Sequence, residues 1–217
     1  ISANPKLTLF ASSGDSGGTQ GLDYPGSSPN VTSMGGTSLF LGPTGNTYSS
    51  EIAWSGSTGG PSISFAHRNV PDISSDADPA TGLSIYSSVV VSPRTGQSGW
   101  LKIGGTSADA PIFAGYICTI DQWRGLHKEV NIDQANLHDA IFSAPARSFH
   151  DITSGNNGKY TAVPGYDFVT GRGTPYYGRF GQYLETYKLK AHKPTPPPFV
   201  RANPPADQTM VPVGLAF

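Results

Sequence analysis

The run GGTSADAP, residues 104–111, sets a serine after a glycine pair and four positions before a proline. A hydroxyl held there, at the mouth of a helix, can attack a carbonyl once a positioned base takes its proton. The helix N-terminus helps, because its free N–H groups and dipole favour developing negative charge. The same position can equally be a helix cap, and the residues around Ser107 leave both readings open. Whether Ser107 can be activated depends on a base supplied elsewhere in the chain.

The elements that position Ser107 are legible as patterns. LTLFA, residues 7–11, is an apolar run ending in a Ser/Gly/Asp turn, as a buried parallel strand would. Residues 31–41, VTSMGGTSLFL, read as a strand interrupted by a close-packed glycine pair, followed by a turn at GPTGN, residues 42–46. IYSSVVVS, residues 85–92, and WLKIGG, residues 100–105, read as a hairpin or neighbouring strands. From Ser107 the period changes: Ile112, Phe113, Tyr116, Ile117, Ile120 and Trp123 recur at helical spacing, with Pro111 in the first turn and Gly125 as a stop. Further helices are expected across residues 130–142 and around RFGQYLETYKL. A serine at a strand-to-helix junction among mixed elements argues for an α/β layered fold.

The chain of 217 residues suits one domain, residues 1–190, and a proline-rich, extended tail, residues 191–217. Charged residues make up 13% and the formal net charge is -1, so no electrostatic case exists for nucleic acid or an anionic membrane as partner. No apolar run approaches the roughly 20 residues that cross a bilayer, and no signal-peptide pattern precedes the first strand. Ile1 leads almost at once into that buried-strand pattern, which leads us to expect that an N-terminal part is missing. Cys118 stands alone, so no intramolecular disulfide forms; its setting, GYICTI, suggests a buried small hydrophobe.

GGTSADAPIFAG resembles the G-T-S-x-x-x-P signature shared by subtilisins and sedolisins, the latter also called serine-carboxyl peptidases. Asp15, in LFASSGDSGG, matches the position at which sedolisins carry an oxyanion-hole aspartate and subtilisins an asparagine. A carboxyl kept protonated can donate a hydrogen bond to a tetrahedral oxyanion, whereas an ionised one would repel it; the plain alternative is an aspartate stabilising its own turn. HDITSG followed by PGYDFVTGRGTP resembles the sedolisin calcium site. Carried over by position, the resemblance implies side-chain ligands Asp151 and Asp167 and carbonyl ligands Ile152, Val163 and Gly165, the hard oxygen donors that Ca2+ takes. The family more often has glycine where Val163 stands, which matters little when only the carbonyl binds.

The resemblance extends through YPGSSPNVTSMGGTSL, EIAWSGSTGG and VPDISSDADPATG to about residue 180, and ISFAHRN is shorter than the family's corresponding segment. It implies a subtilisin-like α/β fold, a mostly parallel sheet flanked by helices, with residues 1–190 forming part of the peptidase domain and its N-terminal part missing. It also implies a serine-type endopeptidase of acidic pH optimum, acting on peptide or protein substrates, typically secreted and made with a pro-segment. In sedolisins the base is a glutamate paired with an aspartate four residues later, upstream of the oxyanion aspartate. Only fourteen residues precede Asp15 and none is acidic, so the chain alone is expected to be nearly inert. Glu129 and Asp133 have the four-residue spacing but follow Ser107, and read as a solvated helix face. His67, His127, His138, His150 and His192 lack a motif context. Asp109, two residues past Ser107, either disfavours an oxyanion or stabilises the helix N-terminus. The alternative function is a non-catalytic, calcium-stabilised relative that binds peptides or serves a structural role.

Overall fold

The computed structural model describes residues 7–92 and 96–191. The proposed tail beyond Ala191, and His192 with it, lie outside the described residues.

Strand β2, Thr32–Leu41, is the hub of a four-stranded sheet. It pairs in parallel with β1, Phe10–Ser12, and with β6, Ile73–Asp76, and antiparallel with β3, Tyr48–Ala53. The sheet is mostly parallel, as expected, with one antiparallel pairing: β3 returns alongside β2 after the Gly42–Asn46 turn, and a turn that short can only join antiparallel strands. β2 is buried from Thr32 through Ser38 because both its faces are covered. Its glycine pair is there for close approach. A Cβ on Gly36 would sit 2.7 Å from the Ala77 methyl and 2.8 Å from the Trp54 ring. Short pairs β4, Gly60–Pro61, with β5, Asn69–Val70, and β9, Phe149–His150, with β10, Thr174–Pro175, tie the loops down.

The hairpin expected before Ser107 is β7, Leu83–Ser92, with β8, Gln97–Ile103. It projects outward, leaving Trp100 75% exposed. The helix that follows, α1, runs Thr106–Leu126 and packs Phe113, Ile117 and Ile120 onto Met34 and Ile73 of the sheet. Leu137 and Ile141 of α2, Gln134–Ser143, and Phe180 and Leu184 of α3, Tyr177–Thr186, complete that core. A Phe113→Ala cavity there would cost about 3–5 kcal/mol.

Two expectations about these helices are corrected. Cys118 is exposed, because it sits one helical step, about 100°, from the buried Ile117; apolar neighbours in sequence do not share a helix face. α2 begins at Gln134 instead of at residue 130, because the Asp133 carboxylate caps it by accepting from the Asn136 N–H at 2.9 Å.

Candidate functional site

Ser107 stands in the first turn of α1, directly after β8 and the Gly104–Gly105 link. The N-cap is Gly105, with φ 103°, and no side chain of its own segment caps the helix. Ser107 is thus not the cap: its side chain is exposed and makes no hydrogen bond among the described residues. The capping role falls to Asp15, 91 residues away in sequence. Its Oδ1 accepts from the Thr106 N–H at 2.8 Å and from the Thr106 hydroxyl at 2.7 Å. Thr106 Oγ1 in turn accepts from the Gly14 N–H at 3.2 Å, so the strand-end loop and the helix end are locked together. Asp15 Oδ2 lies 2.6 Å from where a Cβ on Gly105 would be, so only glycine admits this approach. Asp15 therefore does more than stabilise its own turn: it meets a free helix N–H beside the serine.

Beneath the same turn lie two buried acids, Asp109 and Glu51, and the half-buried Asp76. Asp109 is 1% exposed and neither carboxylate oxygen has a hydrogen-bond partner. Burial, reinforced by the charges of Asp76, Asp15 and Glu51, pushes its carboxyl up to about 8; the Ser75 hydroxyl nearby offsets this without forming a bond of proper geometry. Glu51, on β3, is also buried and held above the usual carboxylate range by desolvation, despite donation to its Oε1 from the hydroxyls of Thr37 and Thr174, the latter at 2.6 Å. Asp76, on β6, is raised by burial as well, against hydrogen bonds from Thr81 and the Leu39 N–H. The sequence pointed to Asp109 without its burial, and to Glu51 and Asp76 only within motifs. The signal for Asp109 was available: Asp109, Phe113, Ile117, Ile120 and Arg124 form one buried stripe at helical spacing.

No imidazole or further carboxylate hydrogen-bonds Ser107 among the described residues. Glu129 lies past the far end of α1, about 30 Å along the axis by helical rise, where it binds the Lys188 ammonium at 2.9 Å; that contact holds its carboxyl below the usual range. Asp133 is occupied as the α2 cap, so the two do not share a helix face. His127 stacks on Trp123 with ring centroids 3.8 Å apart, also at the far end of α1, and His150 stacks on Tyr48. His138 meets the buried Arg68–Asp72 pair and, with His67, lines a separate cavity.

The calcium candidates converge on one loop. Asp151 accepts from the Gly165 N–H at 2.9 Å through Oδ2, and Asp167 Oδ2 accepts from the Val163 N–H at 3.2 Å. Asp167 is buried and further fixed by the N–H groups of Val169 and Thr170, whereas Asp151 is exposed. The segment 163–165 is thus held by both carboxylates, and Ile152 follows Asp151 directly. Among the described residues no three acidic, His or Cys side chains gather as a metal cluster. A cation here would need carbonyl oxygens besides the two carboxylates, a donor set that suits calcium.

Comparison with known proteins bears on the family. The sequence profile of the subtilase family matches residues 2–173. Kumamolisin from Bacillus sp. (strain MN-32) is 35% identical over 208 residues, an alignment covering 78% of this chain and 35% of that protein. Sedolisin from Pseudomonas sp. (strain 101) is 32% identical over 197 residues, covering 78% of this chain and 31% of that protein. The chain therefore spans about a third of the length of these relatives. A solved structure of Pseudomonas sedolisin, a serine-carboxyl proteinase complexed with two molecules of pseudo-iodotyrostatin, superposes with a TM-score of 0.67 at 31% identity, covering 82% of this chain and 56% of that one. The subtilisin-like α/β fold, the Ser107 motif and the profile match together place the chain in the subtilase family, on its sedolisin branch.

Proposed function

We propose that this chain carries the nucleophile and the oxyanion donor of a serine-type endopeptidase that works at acid pH. The observation that supports the reading best is the docking of Asp15 on the helix N–H at Thr106 beside an exposed, unbonded Ser107 hydroxyl. Ser107 Oγ attacks the peptide carbonyl while a general base takes its proton. The base comes from outside the described residues, a glutamate by analogy with the sedolisins. The resulting oxyanion accepts hydrogen bonds from a backbone N–H and from protonated Asp15. Because Asp15 Oδ1 already accepts twice from Thr106, the proton belongs on Oδ2. Collapse of the tetrahedral species breaks the C–N bond, the base returns the proton to the leaving amine, and water releases the acyl group from Ser107. The acid working pH is carried over from the resemblance to the serine-carboxyl peptidases.

Calcium, held by Asp151, Asp167 and the carbonyls of Ile152, Val163 and Gly165, would supply structural charge neutralisation to the 163–165 loop. The substrate is a peptide or protein, the site of action extracellular, and a pro-segment or N-terminal chain is the other expected partner. No helix among the described residues is long and apolar enough to cross a membrane. A second reading, a calcium-stabilised relative that binds peptides without cleaving them, is favoured by the carboxyl of Asp109 two residues past Ser107 and by the short ISFAHRN segment.

Hydrolysis of a denatured protein substrate at acid pH separates the two. Ser107→Ala in the full-length protein should lower turnover by at least about a thousandfold, and Asp15→Ala by about a hundred- to a thousandfold. Asp15→Asn should retain more activity than Asp15→Ala, since an amide can still donate a hydrogen bond to the oxyanion. Activity that survives Ser107→Ala rules out the assignment; binding without cleavage in the native protein selects the second reading. For calcium, a chelator should lower the melting temperature, and an unchanged one would remove the metal from the account.

A further inference from the structure

Asp109 has no part in the chemistry above, yet it is the most anomalous group near Ser107. Two residues on from an exposed serine, it lies about 200° around the helix, so one turn presents Ser107 to solvent and Asp109 to the interior. Four elements close over it. Asp15 approaches from the loop after β1, Glu51 from β3, Asp76 and Ser75 from β6, and Tyr177 from the start of α3. The three acids all disfavour its ionised form, and the Tyr177 hydroxyl, itself buried without a hydrogen-bond partner, feels its charge. Lys102, on β8, offsets charge at Asp76, and among the described residues no cation pairs with Asp109. An ionised carboxylate has neither a counter-charge nor a donor in this place, and burying it so is very costly.

We propose that Asp109 is a proton-operated latch beneath the Ser107 turn: as the neutral acid it lets the first turn of α1 seat against β3, β6 and α3, and on losing its proton it unseats that turn. The carboxyl ionises at an ordinary value of 3.8 in the unfolded chain and is pushed up to about 8 in the fold. Its contribution to stability is therefore fully present below the unfolded value and is lost as pH rises through the folded one. Across that window the unfolding constant should rise by up to about tenfold per pH unit from this group alone. Seating of the turn does not depend on Ser107 being a nucleophile; only the effect on activity rests on the peptidase reading.

The test is equilibrium unfolding in urea from pH 4 to pH 8, at constant ionic strength, for the native protein, Asp109→Asn and Asp109→Ser. The native midpoint should fall steadily as pH rises, and the variants, neutral throughout, should fall less and overtake it near pH 8. Parallel profiles overturn the latch. Should the variants fail to fold, infrared spectroscopy of the native protein at pH 7 still decides: a protonated carboxylic-acid carbonyl band is expected, and its absence overturns the proposal. A native protein inactive at every pH, with the flattened variant profile intact, would remove the peptidase reading and leave the latch standing.

Discussion

At the C-terminal end of α1, Arg124 is 1% exposed, yet its guanidinium donates to the carbonyls of Leu184 at 2.8 Å and Tyr187 at 3.0 Å, and through Nε to Val130 at 2.8 Å. Asp109, at the N-terminal end and equally buried, has no partner for either oxygen. Each sits at the helix end that the macrodipole favours for its charge, so the dipole does not distinguish them. The difference lies in what the surrounding elements offer. Arg124 meets the open carbonyls at the end of α3 and satisfies them; Asp109 meets other acids. A guanidinium keeps its charge at any working pH and can serve as a permanent clamp. A carboxyl can discard its charge by binding a proton, so the same burial makes one end of α1 indifferent to pH and the other end responsive to it.

Arg124→Ala gives the largest expected effect. It leaves the carbonyls of Val130 and Tyr187 without their Arg124 donor, removes one of the two donors to Leu184 and opens a cavity, at a cost of about 3 kcal/mol or more. Glu129 reaches the guanidinium only at 4.0 Å and from a partly exposed position, so the loss should be nearly the same at pH 4 and pH 8 in urea unfolding. A pH-dependent loss would mean that Arg124 is balanced by a titrating group, and the contrast between the two ends would fail. Arg124→Lys should recover little of it, since an ammonium cannot reproduce the planar fork that reaches several carbonyls.

Much of this arrangement could be read from the residues, and what could not follows a physical pattern. β2 with its glycine pair, the hairpin before Ser107 and the apolar stripe of α1 are local periodicities, so they were legible. The Asp15–Thr106 contact joins positions 91 apart, and only a family resemblance could bring them together beforehand. Cys118 is not legible from its apolar neighbours in GYICTI, because a helix turns each next residue by about 100°. Asp109 and Arg124 end the buried stripe with charges, and apolar recurrence does not extend to them. Glu51, Asp76 and Tyr177 come from β3, β6 and α3, and no spacing in the chain announces that they meet.

Glu51→Gln gives a smaller effect of the same sign as the Asp109 variants. The amide keeps an oxygen for the Thr37 and Thr174 hydroxyls, so little should change at pH 4. Burial holds the Glu51 carboxyl above the usual carboxylate range, so its contribution is present below its unfolded value and lost as pH rises through its raised folded value. The variant should therefore be more stable than the native protein at pH 8, by about 1 kcal/mol. An advantage at pH 4 that vanished at pH 8 would reverse the sign and show Glu51 ionised in the fold.

Cys118→Ser gives the smallest change and checks the geometry on which the comparison rests. Asp109 is buried only if α1 has the rotational register that turns Ile117 inward and Cys118 outward. Turning the helix by one residue, about 100°, would bury the thiol in the core and swing the Asp109 carboxyl toward water. In the observed register, a serine at 118 replaces one exposed polar atom with another, and the stability change should stay within about 0.5 kcal/mol. The native thiol should also react with a maleimide at nearly the rate of the unfolded chain. A protected thiol together with a substitution cost above about 1 kcal/mol would place Cys118 in the core, and with that register Asp109 would have no need to hold its proton.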